Sequence, residues 1–256
     1  MCFDLDSRPP IAPIAGGALD AEELTLTAAD GARTSAFRAR AAHPTGAGMI
    51  VLPDVRGLHA YYEELALRFA EAGVDSIAID YFGRTAGLGR RGEGFEYMPH
   101  VGQTTYGGLT ADITAAADEL RRGGRVRSLF TAGFCFGGRL AFLTPTLGLG
   151  VAGAIGFYGW PTGPARNDTP APADVAAAMR APILGIFGGA DQGISTGVVA
   201  DFRRALVAAD VEHDLVSYPG APHSFFDRKA GEYADASADA WRNVLDFIRK
   251  HTPQPA

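Results

Sequence analysis

The fold is decided by the sequence TAGFCFGGR at residues 131–139. An apolar run at 126–131 leads into it and a helix-like run at 139–147 follows, which predicts a strand, a sharp turn and a helix. Cys135 occupies the apex of the turn, with a glycine two residues to either side. The G-x-S-x-G nucleophile elbow has the same design, with serine at its apex. We therefore interpret the segment as an elbow that presents a cysteine.

The flanking glycines have a steric reason. The apex residue of such an elbow is held in a strained backbone conformation, and the crossing strand and helix leave no room for Cβ atoms beside it. A cysteine at the apex gains stabilisation of its thiolate from the N-terminus of the following helix. The backbone N–H of Phe136 can donate to an oxyanion. The alternative is a small buried hydrophobic residue, because free cysteines often have only that role.

Length and composition indicate a globular α/β protein. The chain has 256 residues, of which 47% are hydrophobic and 20% are charged, and this suits one domain or at most two small ones. The formal net charge of −6 argues against a general nucleic-acid binder, which would carry a basic face. No apolar run reaches 18 residues, so no membrane-spanning helix is predicted. We expect neither a nucleic acid nor a membrane among the partners.

The N-terminus and the cysteine content predict a cytoplasmic protein. Asp4 and Asp6 lie where a secretory signal would carry positive charge, and no apolar stretch follows them. The two cysteines, Cys2 and Cys135, make neither a disulfide framework nor a zinc cluster, and we interpret Cys2 as incidental. The sequence contains no clustered set of His, Cys and carboxylate ligands and no G-x-G-x-x-G motif after a strand. We expect no metal and no organic cofactor.

The remaining sequence predicts alternating strands and helices. Residues 1–20 are Pro-rich and are expected to be irregular and to lie along the surface, and the tail at 252–256 is expected to fray. The dipeptide Asp30-Gly31 predicts a β-hairpin formed by residues 22–27 and 33–40. Further strands are predicted at 49–53, 74–80, 126–131, 151–157, 182–187 and 212–218, and helices at 62–72, 109–122, 139–147, 174–179, 196–208 and 232–250.

This order predicts an α/β-hydrolase fold for the whole chain, 1–256. Strands that alternate with helices form a mostly parallel sheet with helices on both faces. An antiparallel N-terminal hairpin that leads into this pattern is typical of the α/β-hydrolase arrangement. Residues 83–103 are expected to form a long, irregular excursion, which is usually functional or mobile. Reactive residues of such sheets gather at the carboxyl ends of the strands.

Two residues occupy the positions needed to assist Cys135. Asp191 follows the strand at 182–187 and His223 follows the strand at 212–218, which gives the chain order nucleophile, acid, base. A thiol at its ordinary pKa is mostly protonated, so an imidazole must accept its proton. A carboxylate must then hold the imidazole in the correct tautomer. We therefore expect a catalytic triad of Cys135, His223 and Asp191.

Each partner of Cys135 also has a structural alternative. Asp191 could be a helix N-cap or a turn residue, and His223 a capped loop histidine. His59 and His100 are further candidates for the base, because each lies near the same predicted rim. Three suitable residue types at three strand ends, in this order, favour the triad over these alternatives.

The motifs around these residues resemble those of the dienelactone hydrolase (carboxymethylenebutenolidase) family. They are GFCFGG at 133–138, GGAD at 188–191, PGAPHSF at 219–225, LPDVRGL at 52–58 and DYFGR at 80–84. Cysteine rather than serine in the elbow is the specific part of this resemblance, which covers residues 22–250. The resemblance implies an α/β-hydrolase fold and a hydrolase that acts on esters or lactones.

The resemblance also implies roles for residues outside the triad. In the family, a carboxylate after the third strand contacts the resting cysteine and helps to deprotonate it once substrate binds. Asp54 stands at this position, where the family usually has glutamate. The backbone N–H of Val55 would be the second oxyanion donor, beside that of Phe136. From the residues alone, Asp54 could also be an aspartate that initiates a turn.

The substrate-binding positions follow the family pattern only in part. Arg84 matches a family arginine that holds a substrate carboxylate, a task that suits a planar guanidinium, and the alternative is a solvated loop arginine. The second such arginine of the family corresponds to Asp227, and this negative charge weakens the case for a dienelactone as substrate. Aromatic side chains near the rim are candidates for an acyl pocket, although each is more often a core residue: Tyr61, Phe82, Tyr97, Trp160 and Phe225.

We interpret the chain as a cysteine hydrolase of carboxylic esters or lactones that acts through a thioester acyl-enzyme. Two alternatives remain open. One is a hydrolase-fold binding or regulatory protein without turnover, and the other is a thioesterase or peptidase, since cysteine acyl-enzymes support either chemistry. The expected partner is a small-molecule ester or lactone, and the protein is expected to be a monomer or a homodimer.

Overall fold

An eight-stranded sheet forms the centre of the computed structural model, which describes residues 3–253. The strands are β1 (Ala18–Thr27), β2 (Arg33–Ala41), β3 (Ala47–Leu52), β4 (Asp75–Ile79), β5 (Ser128–Phe134), β6 (Val151–Phe157), β7 (Ile183–Gly188) and β8 (His213–Tyr218). The helices are α1 (Ala60–Glu71), α2 (Gly83–Ala86), α3 (Tyr97–Gln103), α4 (Tyr106–Arg121), α5 (Phe136–Leu143), α6 (Thr196–Ala208) and α7 (Ala234–Lys250). Single 3₁₀ segments are found at Thr144–Thr146, Pro172–Ala178 and Gly231–Tyr233.

The strand order is β1-β2-β4-β3-β5-β6-β7-β8. β1 pairs with β2 and β2 pairs with β4 in antiparallel fashion, and the remaining neighbours are parallel. The Asp30-Gly31 turn joins β1 to β2, as predicted, with Gly31 at φ 83°. The α/β-hydrolase arrangement predicted from the sequence, an antiparallel hairpin that leads into a parallel sheet, is confirmed. Within residues 3–253, no helix combines the length and the apolar character that crossing a bilayer requires.

The central strands are continuous apolar runs because helices cover both faces of the parallel sheet. All six residues of β3 are buried. Successive side chains of a strand point to opposite faces, so that Val51 packs into one core with Phe69 of α1. Ile50 packs into the other core with Ile113 of α4. The edge formed by the carboxyl ends of the parallel strands is thereby built on strands that are packed on both faces.

Part of the N-terminal segment does not lie along the surface as expected: Phe3, Ser7 and Pro9 are buried, whereas residues 12–16 are exposed. The side chain of Phe3 is 2% exposed, and its ring stacks on that of Tyr61 with 3.9 Å between centroids. A single aromatic residue among polar residues and prolines gives no periodic signal, so the sequence did not reveal this burial. β1 also begins at Ala18, inside the stretch expected to be irregular. Cys2 lies outside the described residues. Residues 254–256, which make up most of the tail predicted to fray, also lie outside them.

Residues 83–103 are less irregular than expected, because α2 and α3 lie within them. A buried ion pair attaches this segment to the end of β4. The carboxylate of Asp80, which is completely buried, accepts hydrogen bonds from Nε and Nη2 of Arg91 at 3.0 and 2.8 Å. It also accepts the backbone N–H groups of Leu58 and Phe82 at 3.1 and 3.0 Å. Asp80 therefore joins the loop after β3, the end of β4 and the following segment.

We expect Arg91→Met to lower the free energy of unfolding by about 3–5 kcal/mol, because the Asp80 carboxylate would remain buried without its counterion. Arg90→Met is the matched control. The Arg90 side chain is 61% exposed, and it pairs with Glu23 and Glu63 at the surface, where such pairs contribute about 0–1 kcal/mol. Urea unfolding followed by circular dichroism measures both variants. Equal losses for the two arginines would contradict this role of Arg91.

Candidate active site

The elbow presents Cys135 between β5 and α5. Its backbone has φ 54° and ψ −110°, a region that side-chain-bearing residues rarely adopt, and its N–H donates to the carbonyl oxygen of Phe157 at 3.0 Å. A Cβ added to Gly133 would clash with the carbonyl oxygen of Gly137, and one added to Gly137 would clash with that of Leu52. The strained apex and the steric need for both glycines agree with the predicted elbow. The Cys135 side chain is 6% exposed.

Asp191 and His223 form a hydrogen-bonded pair. Nδ1 of His223 lies 2.6 Å from Oδ2 of Asp191. The other carboxylate oxygen, Oδ1, accepts the backbone N–H groups of Gly193 and Ile194 at 2.8 and 3.1 Å. Burial acts to raise the pKa of Asp191, but the hydrogen bonds from His223 and these two amides outweigh it, and the pKa lies below its usual value. Asp191 is therefore ionised at neutral pH.

The pair fixes the tautomer of His223. Because Asp191 is ionised and can only accept, Nδ1 of His223 carries the proton that it donates, and in the neutral ring Nε2 then has the lone pair. Nε2 is buried and has no hydrogen-bond partner among residues 3–253. The ring lies between those of Tyr158 and Trp160, each with its centroid 4.9 Å away. In its neutral form the ring therefore has Nδ1 directed at Asp191 and Nε2 as its proton acceptor.

The other two rim histidines lack a carboxylate partner within the described part of the chain. Burial lowers the pKa of His59 to about 4, so this side chain is neutral, and neither of its ring nitrogens has a hydrogen-bond partner there. Nδ1 of His100 lies 3.0 Å from Oγ1 of Thr85, and its ring stacks on Phe95. Of the three candidates, His223 alone has the partner that a general base needs.

The candidate residues follow neighbouring strands of the sheet. Cys135 follows β5, Tyr158 follows β6, Asp191 comes after β7 and His223 after β8, and these four strands are adjacent and parallel. Their carboxyl ends meet at one edge, where reactive groups of such sheets gather. From the sequence, Cys135, Asp191 and His223 were expected to meet at this edge of the sheet, whereas Tyr158 was not.

Tyr158 is a site residue that the sequence analysis missed. Its backbone has φ 38°, and its hydroxyl is buried without a hydrogen-bond partner among the described residues. Burial raises the pKa of this phenol well above its usual value, and the charges of Tyr61, Cys135 and Asp54 raise it further. Tyr158 is therefore protonated and lies within electrostatic reach of both Cys135 and Asp54. Its position directly after the strand predicted at 151–157 was the signal that could have identified it.

Asp54 is buried at the end of β3. Its side chain is 1% exposed, and its carboxylate oxygens accept the backbone N–H groups of Phe3 and Arg56 at 3.2 and 2.8 Å. Its own N–H donates to the hydroxyl of Tyr62 at 2.9 Å. Burial raises the pKa of Asp54 to about 6, against the opposing effect of these hydrogen bonds. The bond to the N–H of Arg56, two residues on, also fits the turn-initiating alternative.

The two predicted oxyanion donors belong to segments that touch. The clash between a Cβ on Gly137 and the carbonyl oxygens of Leu52 and Pro53 shows that the start of α5 lies directly against the end of β3. Phe136 begins α5, and Val55 follows Asp54 in the loop after β3; both side chains are half-buried. The backbone N–H groups of these residues are candidates for a shared oxyanion site.

Arg84, the predicted ligand for a substrate carboxylate, already has two carboxylate partners. Its Nη1 lies 2.6 Å from Oδ2 of Asp30, and its Nε and Nη2 lie 3.1 and 2.9 Å from the oxygens of the buried Asp112. Hydrogen bonds to Asp30 and then to Asp112 raise the pKa of Arg84. A substrate carboxylate would have to displace Asp30, so the binding role of Arg84 stays a prediction.

The predicted pocket aromatics occupy different environments. Trp160 is half-buried beside His223 and donates from Nε1 to the carbonyl oxygen of Gly193 at 3.2 Å. Tyr61 is fully buried, and its hydroxyl donates to the carbonyl oxygen of Phe226 at 2.6 Å. Phe225 is also fully buried, with its ring centroid 5.9 Å from that of Tyr158. Trp160 therefore borders the base directly, whereas Tyr61 and Phe225 lie in the layer behind it.

Buried Arg139 holds the loop that carries Trp160. Its guanidinium donates to the carbonyl oxygens of Trp160, Thr162, Gly163 and Thr169 at 3.3, 3.4, 2.9 and 3.2 Å. The Pro-rich loop at 160–172 is thereby attached to α5, the helix that begins at the elbow. Within residues 3–253, no three His, Cys, Asp or Glu side chains are grouped so that they could hold a metal ion.

Comparison with known proteins identifies the family. The family model described as the dienelactone hydrolase family matches residues 36–252. A protein of Escherichia coli strain K12, provisionally named carboxymethylenebutenolidase, is 30% identical over 215 residues, which cover 79% of this chain and 76% of that protein. A protein of Methylorubrum extorquens with the same provisional name is 29% identical over 254 residues, covering 96% and 86%.

Solved structures agree with this assignment. The crystal structure of a protein from Klebsiella pneumoniae, provisionally named dienelactone hydrolase, has 28% sequence identity and a TM-score of 0.79, with 90% of this chain and 98% of that chain covered. The elbow at Cys135 and the order of the strands agree with the match to the family model. The chain belongs to the dienelactone hydrolase family.

Proposed function

We propose that this protein is a cysteine hydrolase of carboxylic esters or lactones, with Cys135 as nucleophile, His223 as general base and acid, and Asp191 as the residue that orients His223. The observation that carries the proposal is the 2.6 Å contact between Nδ1 of His223 and Asp191, with a buried, unpartnered Nε2 on the opposite side of the ring among residues 3–253. Membership of the family supports ester and lactone bonds as the class of target.

The first half of the reaction forms a thioester. Sγ of Cys135 attacks the substrate carbonyl carbon while Nε2 of His223 takes the thiol proton, and the oxyanion accepts hydrogen bonds from the N–H groups of Phe136 and Val55. The tetrahedral intermediate then collapses, the carbon–oxygen bond of the ester breaks, and His223 returns its proton to the leaving alkoxide. With a lactone, the alcohol formed in this step remains part of the acyl group.

The second half of the reaction releases the acid. A water molecule attacks the thioester carbonyl as Nε2 of His223 takes its proton, and the same oxyanion site is used again. The carbon–sulfur bond breaks and the sulfur of Cys135 regains the proton from His223. The net change is addition of one water molecule to an ester or lactone, which gives an acid and an alcohol and returns the enzyme to its starting state.

Asp54 is the candidate for control of the thiol. Asp54 directly follows Pro53, whose carbonyl oxygen lies against Gly137 at the start of α5, and Cys135 immediately precedes α5. An ionised carboxylate in this buried space disfavours a thiolate, since two like charges repel strongly at low dielectric. We infer that Asp54 keeps Cys135 as a thiol in the resting enzyme, and that the thiol gives up its proton as substrate binds.

We expect Cys135→Ala to lower kcat for short-chain p-nitrophenyl esters by at least about 10⁴-fold, because the covalent intermediate can no longer form. In a Cys2→Ser background, where Cys135 is the remaining cysteine, iodoacetamide should abolish activity in proportion to alkylation. Turnover that survives in Cys135→Ala would exclude this residue as the nucleophile. A wild type that hydrolyses no member of an ester and lactone panel would favour the silent binding protein.

We expect Asp191→Asn to lower kcat by about 10³–10⁴-fold with a small change in KM, because an amide stabilises the wrong tautomer of His223. Asp214→Asn is the matched control, since Asp214 is an exposed residue of β8, the strand that leads to His223. Its kcat should stay within about twofold of the wild-type value. Steady-state kinetics on one ester measures both variants, and equal effects would contradict the orienting role of Asp191.

The raised pKa of Asp54 predicts a pH dependence of stability. Because the folded protein holds this proton up to about pH 6 and the unfolded chain only up to about pH 4, stability decreases as pH rises through this window. The contribution is roughly 3 kcal/mol. Asp54→Asn should remove it, so the fall in the free energy of unfolding between pH 4 and 7 should be smaller than in the wild type. Urea unfolding at the two pH values measures this, and an unchanged fall would contradict the raised pKa.

A further inference from the structure

The N-terminal strap, which we define as residues 3–9, crosses the site and contacts both of its sides. On one side, the N–H of Phe3 donates to the carboxylate of Asp54 at 3.2 Å. On the other side, the N–H of Arg8 donates to Oδ1 of Asp227 at 3.2 Å, and the N–H of Arg228 donates to the carbonyl oxygen of Arg8 at 2.9 Å. Asp227 and Arg228 follow His223 closely in the chain, so the strap joins the loop after β3 to the loop that carries the base.

Charged side chains reinforce this attachment. Nζ of Lys229 lies 2.7 Å from Asp6 and 3.3 Å from Asp4, and Nε of Arg8 lies 3.3 Å from Glu64 of α1. Such exposed ion pairs contribute little to stability, because water and salt screen them. The buried contacts of Phe3 and the backbone hydrogen bonds therefore supply most of the attachment, and the strap is a fixed part of the site rather than a loosely tethered tail.

The ring of Phe3 belongs to a buried aromatic cluster that reaches His223 through Tyr158. It stacks on Tyr61 at 3.9 Å and lies 6.1 and 6.3 Å from the rings of Phe134 and Tyr158. Tyr158 in turn is in ring contact with His223 at 4.9 Å, and Cys135 lies in the same buried cluster as Phe3. Phe3 therefore fills apolar space one aromatic ring away from His223, and in its absence an acyl chain could extend into that space.

We propose that Phe3 limits the size of the acyl group and so makes this enzyme selective for esters and lactones of short-chain acids. The proposal rests on the proposed function. A buried phenyl ring occupies the volume that several methylene groups of a longer acyl chain would need, and each methylene that is buried there would strengthen binding. Removing the ring should therefore favour long acyl groups over short ones.

The side chain and the backbone of Phe3 can be tested separately. Phe3→Ala removes the ring but keeps the backbone N–H that donates to Asp54, and the remaining backbone hydrogen bonds of the strap, at Arg8 and Arg228, are not altered directly. Phe247→Ala is the matched control, because Phe247 is a half-buried aromatic residue of α7 whose ring lies 4.7 Å from that of His251 and contacts none of the site residues described above. A general loss of stability should affect both variants, whereas the selectivity for acyl chain length should change only in Phe3→Ala.

The test is the ratio of kcat/KM for p-nitrophenyl octanoate to that for p-nitrophenyl acetate, with thermal unfolding as a check on folding. We expect Phe3→Ala to raise this ratio by about tenfold or more and Phe247→Ala to leave it within about twofold. An unchanged ratio in a folded Phe3→Ala protein would overturn the proposal, as would an equal rise in the control.

The alkylation rate of Cys135 provides a second test that does not depend on turnover. It can therefore fail or succeed independently of the proposed hydrolase function. In a Cys2→Ser background, the rates of alkylation by iodoacetamide and by the bulkier N-phenylmaleimide report the space around Cys135. Phe3→Ala should raise the rate for the bulky reagent relative to the small one, even if the wild type hydrolyses no ester. An equal effect on both reagents would overturn the role of Phe3 as a wall of the site.

Discussion

The close crossing of β5 and α5 is the constraint on which the rest of the site depends. Neither Gly133 nor Gly137 can carry a Cβ, since it would meet the backbone of α5 or of β3. Cys135 is held between them at φ 54°, a conformation that costs about 1–3 kcal/mol and persists only where its surroundings enforce it. The contact with β3 then fixes the nucleophile relative to the loop that carries Asp54 and Val55.

Two carboxylates of the candidate site, Asp191 and Asp54, have opposite pKa shifts because their surroundings differ. Asp191 accepts hydrogen bonds from His223 and two amides, and its pKa lies below the usual value. Asp54 accepts two amide hydrogen bonds but is completely buried, and its pKa is raised to about 6. Environments that separate the pKa values of two acids allow them separate roles. In the proposed mechanism, Asp191 orients His223 and Asp54 controls the protonation of the Cys135 thiol.

The sequence predicted the parts of the site that follow from strand ends. Cys135, Asp191 and His223 each follow a strand within five residues, and parallel strands bring such positions to one edge of the sheet. The partners of Arg84 were not predictable, because Asp30 and Asp112 lie in a turn and a helix far away in the chain. Phe3 gave no signal either, since its burial depends on Tyr61 and on a backbone contact with Asp54. Long-range side-chain contacts leave no local pattern.

The most direct test of the account is to identify the atom that carries the acyl group during turnover. Rapid acid quenching of the protein with a p-nitrophenyl ester, followed by intact-protein and peptide mass spectrometry, measures this. The account predicts an added acyl mass on the peptide that contains Cys135, removable by neutral hydroxylamine as a thioester should be. An acyl group on any other residue, or turnover with no covalent intermediate, would contradict it.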